Sequence, residues 1–177
     1  MNPFEVLGIE PRYDIDLKEV EKRHRELSKA LHPDKFASDG ASARREAIER
    51  AAQVNEAWRI VRDHVRRAEA LFALAGIAVG ETNEPKSDQA FLMDMMEMRE
   101  ALSDARDAKD LAKVRALAED AETREIAAKK AISSATSAGT SKDVLEKALP
   151  KLGELRFYRR MLEDVSAIED AIAEGST

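Results

Sequence analysis

Apolar residues recur along this chain at intervals of three and four, the spacing that places side chains on one face of an α-helix. Leu17, Val20, His24, Leu27 and Leu31 form the first long run of this kind. Asp16 with Glu19 fits an acidic capping box at its start, and Pro33 disfavours helical geometry at His32, so this helix is expected to end near Leu31. Upstream, Asn2 is a good N-cap and Pro3 a good first helical residue, which predicts a short helix from Phe4 to Leu7, stopped at Gly8. After a loop through His32-Pro33-Asp34-Lys35-Phe36 and Asp39-Gly40, a third stripe runs through Ala47, Ala51, Val54, Trp58 and Val61. Val65, Ala68, Phe72 and Ala75 continue it beyond a break expected near Asp63-His64, and Gly76 ends it.

Residues from Gly80 to Ser87 contain Gly, Asn, Pro and Ser without periodicity and are expected to be a linker. Three further helical patterns follow, roughly Asp88 to Asp104, Asp107 to Ala138 and Ser141 to Ala173, the last two separated by Gly139 and the cap-like Ser141. Pro150 and Gly153 fall inside the last pattern, which should be kinked there or begin in earnest only after them. Three helices joined by short loops favour an antiparallel bundle. The expectation is an all-α chain with one domain over residues 1–76, a linker over 77–87 and a C-terminal three-helix bundle over 88–174.

Composition agrees with this. Apolar residues make up 44% and charged residues 36%, against only 5% aromatics, which leaves too few β-branched and aromatic runs for a sheet protein. The chain has no cysteine, which excludes disulfides, thiolate catalysis and cysteine-ligated zinc. The start lacks the pattern of a signal peptide and no stretch approaches the ~20 apolar residues of a membrane span, so a cytoplasmic protein without a membrane partner is expected. Net charge is −6 and disfavours nucleic acid as a partner. Through Gly80 there are 14 basic and 14 acidic residues; from Glu81 onward there are 15 and 21. Two halves with different surfaces suggest two different partners.

At 100° per residue, Lys18, Lys22, Arg25 and Lys29 cluster nearly opposite the apolar face of the second helix and end at the His32 loop. Like charges four apart disfavour an isolated helix by about 0.2–0.5 kcal/mol per pair, and a partner with an acidic face would explain them. The competing reading is an ordinary solvated face. His32 and Asp34 could also serve as an acid–base pair in a hydrolase, but the chain offers no cysteine, Gly-rich loop or serine in a strained turn to complete such a site. His24, His32 and His64 lack metal-ligand spacing, and no metal or cofactor is expected. Beyond the linker, Phe91, Met95, Met98 and Leu102 fall in one narrow arc. Leu92, Met93 and Met96 lie off it, near Glu97, Arg99 and Glu100. They form either a pliable docking surface or a wide buried face between two neighbouring helices.

The run Phe4-Glu5-Val6-Leu7-Gly8-Ile9, the capped helix leading into Leu31-His32-Pro33-Asp34-Lys35-Phe36, and Val54-Asn55-Glu56-Ala57-Trp58 together resemble a J-domain, an antiparallel helix pair whose His-Pro-Asp loop docks on DnaK-type ATPases. His24 stands where such domains usually carry an aromatic, and a neutral His packed on the core face is expected there. The segment from Phe91 to Glu100, following Arg67 to Gly76 and preceding Leu155-Arg156-Phe157-Tyr158, resembles the HscB-type co-chaperones of iron–sulfur cluster assembly. Asp63-His64 stands where that family usually has a Pro-containing turn, and Met96 where it has an aliphatic residue, often Leu. The resemblance implies a carrier without an active site or cofactor. His32, Pro33, Asp34, Lys18, Lys22, Arg25 and Lys29 would bind an HscA/DnaK-type ATPase. Leu92, Met93, Met96, Glu97, Glu100 and Phe157 would bind an IscU-like scaffold protein. The alternative in the same class is a J-domain protein that delivers a different client.

Overall fold

A computed structural model describes residues 1–36, 40–79, 88–139 and 141–174. Among these the chain is all-helical: α1 (Pro3–Val6), α2 (Leu17–Ala30), a 3-10 turn (Pro33–Phe36), α3 (Gly40–Arg62), α4 (His64–Leu74), α5 (Gln89–Asp107), α6 (Leu111–Ala138) and α7 (Lys142–Glu174). The starts are fixed by side-chain caps. Asn2 accepts from the amides of Phe4 and Glu5, Asp16 from those of Lys18 and Glu19, and Asp63 from those of Val65 and Arg66. The break expected near Asp63-His64 is therefore a new helix start, with Asp63 as its N-cap.

Residues 80–87 of the expected linker lie outside the described residues, as does Asp39. Packing continues past residue 76: Gly76 takes φ +73°, Ile77 donates to the Phe72 carbonyl at 3.0 Å, and Ile77 is buried. Two boundaries differ from the sequence reading. Helix α5 runs on to Asp107, and α6 starts at Leu111 after a turn with Lys109 at φ 51° and Asp110 as its cap. Helix α7 begins at Lys142 and continues through Pro150 and Gly153 rather than starting after them. Pro150 and Glu146 both lie on the exposed side, so the carbonyl that loses its amide partner faces water.

Helices α6 and α7 form a long antiparallel hairpin, with α6 about 42 Å long at 1.5 Å per residue. Its core seam on α6 recurs at Val114, Ala118, Ala121, Glu125, Ala128, Ile132 and Ala135, alternating steps of four and three. The open end, with Val114, Ala121, Met161 and Val165, packs against Met98, Leu102 and Ala105 of α5 and completes a three-helix bundle. The closed end carries Ala128, Ile132, Leu145, Leu149, Leu152 and Leu155 into a second cluster with Val65, Ala68, Leu71 and Phe72 of α4 and Phe4, Leu7, Val54 and Val61 of the N-terminal helices. One hairpin thus serves two cores.

Polar contacts cross the same junction. Arg159 Nη1 of α7 lies 3.1 and 3.0 Å from the two carboxylate oxygens of Asp63, Arg156 donates to Glu69 at 2.8 Å, and Ser133 donates to Asp14. Glu125, the single charged side chain in the α6 seam, is 7% exposed; it takes His64 Nε2 at 2.9 Å and Lys129 Nζ at 2.6 Å. Nearby, Arg67 is buried over the Tyr13 ring at 5.1 Å, and burial pushes the Tyr13 phenol up to about 12.

Burial, and next the Lys129 ammonium, hold His64 below the ordinary imidazole value of 6.5, although Glu125 opposes them. A neutral His64 then donates Nε2–H to Glu125. Because the folded value is depressed, the stability this group contributes is complete above the unfolded pKa of about 6.5 and is lost as pH falls through the lowered folded value. Thermal midpoints compared between about pH 7.5 and 5 should show the intact protein losing more stability on acidification than His64→Gln, with the excess starting below about pH 6.5. Parallel curves would show that His64 stays out of the linkage.

Candidate functional site

The His-Pro-Asp segment sits where α2 must end. Pro33 opens the 3-10 turn immediately after Leu31 caps α2, and Lys35 N donates to the His32 carbonyl at 3.0 Å. His32 and Asp34 side chains are 60% and 87% exposed. Asp34 N donates to His32 Nδ1 at 3.3 Å, which places the neutral ring's proton on Nε2. The Nδ1 approach to Asp34 Oδ2 at 3.5 Å becomes an ion pair only when the ring is protonated. The segment is thus a preformed, exposed cluster of one carboxylate and one imidazole on a short turn.

Lys18, Lys22, Arg25 and Lys29 are all exposed along α2, and none makes an ion pair among the described residues. Arg23 of the same helix behaves differently: it donates to the Gly8 carbonyl at 2.6 Å and approaches Glu19 at 3.8 Å, so it ties α2 to the turn after α1. The helix therefore separates one structural arginine from four cations with no internal use. On its other side, His24 stacks on Trp58 with ring centroids 5.4 Å apart at 15°, and its Nε2 reaches Asn55 Oδ1 at 2.9 Å. It packs against α3 as expected but is half-buried rather than fully buried.

On α5 the two faces separate cleanly. Phe91 and Met95 are half-buried and Met98 and Leu102 buried, whereas Leu92, Met93 and Met96 are 45%, 55% and 71% exposed, with Glu97 and Glu100 exposed beside them. At 100° per residue these five outward residues occupy an arc of about 140° opposite the core stripe. The wide buried face between two neighbours is ruled out for Leu92, Met93 and Met96. A rim of two carboxylates around three flexible apolar side chains suits an apolar partner surface edged with cations.

Phe157 is the correction. It is 5% exposed, packed edge-to-face on Phe91 and Tyr158 at 6.0 and 5.3 Å, with the Arg99 guanidinium 5.6 Å from its ring centroid. It belongs to the bundle core beneath the α5 face, and not to the exposed surface formed by Leu92, Met93 and Met96 with which the resemblance grouped it. Two supports escaped the sequence reading. Tyr158 extends the aromatic group, and Arg124 joins Asp94 of α5 to Asp120 of its own helix. Those hydrogen bonds raise the Arg124 pKa further above its ordinary value. Both contacts join residues far apart in sequence, where local periodicity carries no signal. No group of metal-ligating side chains occurs among the described residues.

Residues 2–70 match the DnaJ domain family, and residues 87–166 match a family described as the HSCB C-terminal oligomerisation domain. A co-chaperone protein HscB homolog of Shewanella oneidensis is 35% identical over 175 residues, covering 98% of this chain and all of that protein. A homolog from Shewanella baltica is 33% identical with the same coverage. Among solved structures, the chaperone HscB from Vibrio cholerae superposes with a TM-score of 0.79 at 28% identity, over 97% of this chain and 99% of that one. The human co-chaperone protein HscB gives 0.85 at 21% identity over 96% and 82%, a likeness of fold.

The two classes of α5-side residue should separate in denaturant unfolding. Leu92→Ala with Met93→Ala is expected to change stability by no more than about 0.5 kcal/mol per site, since the side chains already face water. Phe157→Ala should destabilise by about 3–5 kcal/mol through the cavity it leaves. Equal losses in both would contradict the division of faces.

Proposed function

The chain belongs to the HscB co-chaperone family, and from that premise we propose that it carries an IscU-like iron–sulfur scaffold protein on the outer face of α5 and delivers it to an HscA/DnaK-type ATPase. The observation that carries this reading is one molecule with two unsatisfied surfaces of opposite kind: a cationic stripe ending in an exposed His-Pro-Asp turn, and an apolar arc rimmed by carboxylates. The chain itself turns over nothing on this reading; the chemistry is ATP hydrolysis by its partner, in the cytoplasm.

Lys18, Lys22, Arg25 and Lys29 steer an acidic face of the ATPase toward α2, an attraction screened beyond ~8 Å at physiological ionic strength. Docked there, Asp34 offers a carboxylate to an arginine or to backbone amides, Pro33 holds the turn that presents it, and His32 Nε2–H donates to the partner. On α5, burying Leu92, Met93 and Met96 against the scaffold gains roughly 1.5–3 kcal/mol per side chain before the entropy of association. Glu97 and Glu100 select a partner with basic residues at the edge. Phe157, Tyr158 and Phe91 act beneath this face, as the platform that keeps α5 in place.

A second reading attaches to the same arc, because the matched C-terminal family is described by oligomerisation. A second copy of this chain would then cover Leu92, Met93 and Met96. Two aligned rims of Glu97 and Glu100 would repel, which favours the heterologous partner. Sedimentation of the protein alone should give a monomer up to tens of micromolar; a dimer lost on Met96→Ala would favour self-association.

The carrier reading is tested with variants of each surface. His32→Gln or Asp34→Asn should abolish stimulation of the ATPase with the thermal midpoint unchanged, and reversing Lys22 and Arg25 should slow association by roughly tenfold at low salt. Replacing Leu92, Met93 and Met96 by Ala should weaken scaffold binding by at least about 1.4 kcal/mol, a factor of ten, while leaving stimulation by the J-domain alone intact. Normal stimulation by both loop variants would overturn the docking assignment, and undiminished scaffold binding would overturn the α5 assignment.

A further inference from the structure

We propose that Asp63 and His64 are positioning residues: from one corner between α3 and α4 they grip both arms of the α6–α7 hairpin and thereby fix the angle at which the His-Pro-Asp turn and the α5 face are presented together. The inference rests on the carrier reading above for its consequence, but not for its geometry. Asp63 caps α4 through the amides of Val65 and Arg66, and the same carboxylate accepts from Arg159 of α7. His64 donates to Glu125 of α6. Adjacent residues thus reach two different helices, and the capped turn allows neither to move without the other.

The partners are placed to matter. Glu125 stands at a core position of the α6 seam, between Ala121 and Ala128, where every flanking seam residue is apolar. A charge there is tolerated only because His64 and Lys129 occupy both of its oxygens. Apolar contacts across the junction are non-directional and permit sliding, whereas a polar group buried in a helical seam has one position in which it is satisfied and so specifies register. On α7, Arg156 and Arg159 bracket Phe157 and Tyr158. One short segment therefore holds α4 and its corner through the two arginines and supports Phe91 of α5 through the two aromatics.

A fixed angle has a functional consequence. When scaffold and J-domain engage one ATPase molecule, the second contact is intramolecular, and its effective concentration falls once the geometry between the two sites becomes variable. Loosening the joint should leave each single contact intact and weaken only their cooperation.

The chain has no cysteine, so Glu21→Cys on α2 and Asp104→Cys on α5, both exposed, give a clean pair of spin labels for pulsed dipolar distance measurement in the full chain. The parent should show one narrow distance, and Arg159→Gln with Glu125→Gln a broadened or second distance at unchanged helical content. In the unlabelled variant, stimulation without scaffold and scaffold affinity should match the parent, while the extra stimulation produced by scaffold falls by roughly fivefold. If the double variant does not fold, Arg159→Gln alone, which releases one arm of the hairpin and leaves Glu125 paired, should show a smaller broadening. A distance distribution as narrow as the parent's would overturn the proposal, as would a broadened one with scaffold-dependent stimulation unchanged. Failure of the carrier reading itself would be seen separately, as no scaffold-dependent stimulation by the parent.

Discussion

Everything else in this molecule depends on apolar packing along the α6–α7 hairpin. Ile132, Leu145, Leu152 and Leu155 are fully buried at its closed end, against Val65, Leu71 and Phe72 of the N-terminal helices. Val114, Met161 and Val165 are buried at its open end against α5. Helix α2 contributes a single buried residue, Val20, and α5 three, Met98, Leu102 and Ala105. Helix α5 is a thin layer laid on the hairpin and α2 a thin layer laid on α3, which leaves most of the surface of both helices exposed.

That economy explains the surface chemistry. A helix buried on every side could not keep four cations unpaired, and a helix deep in a bundle could not leave three large apolar side chains facing water. Where cations hold elements together they have partners: Arg23 the Gly8 carbonyl, Arg124 the carboxylates of Asp94 and Asp120, Arg159 that of Asp63. Lys18, Lys22, Arg25 and Lys29 of α2, by contrast, have no ion-pair partner among the described residues and lead toward the Pro33–Phe36 turn. The contrast within α2 between Arg23 and Lys22 is the sharpest instance.

Much of this was legible in the sequence because it is local. Capping by Asn2 and Asp16, the break near Asp63-His64, the stop before Pro33, and the core stripe of α5 follow from spacings of a few residues. The order of the His-Pro-Asp turn and the α5 segment resembled the family in which the comparisons place the chain. What escaped was set by distant contacts. Phe157, which the resemblance grouped with the exposed α5 residues, is buried against Phe91 and Tyr158. Pro150 reads as a helix breaker until its carbonyl partner proves to face solvent. The seam from Val114 to Ala135 is built mainly of alanines and interrupted by Glu125, so its pattern is faint in hydrophobicity; its pairing with His64 spans 61 positions.

If one chain presents two sites that work together on one ATPase, steady-state ATP hydrolysis by an HscA/DnaK-type chaperone, measured with the intact chain, with the scaffold protein, and with both, tests it most directly. Stimulation by the chain alone is expected and, with both present, more than the sum of the separate effects. No stimulation by the chain, or a merely additive rate with both, would contradict it.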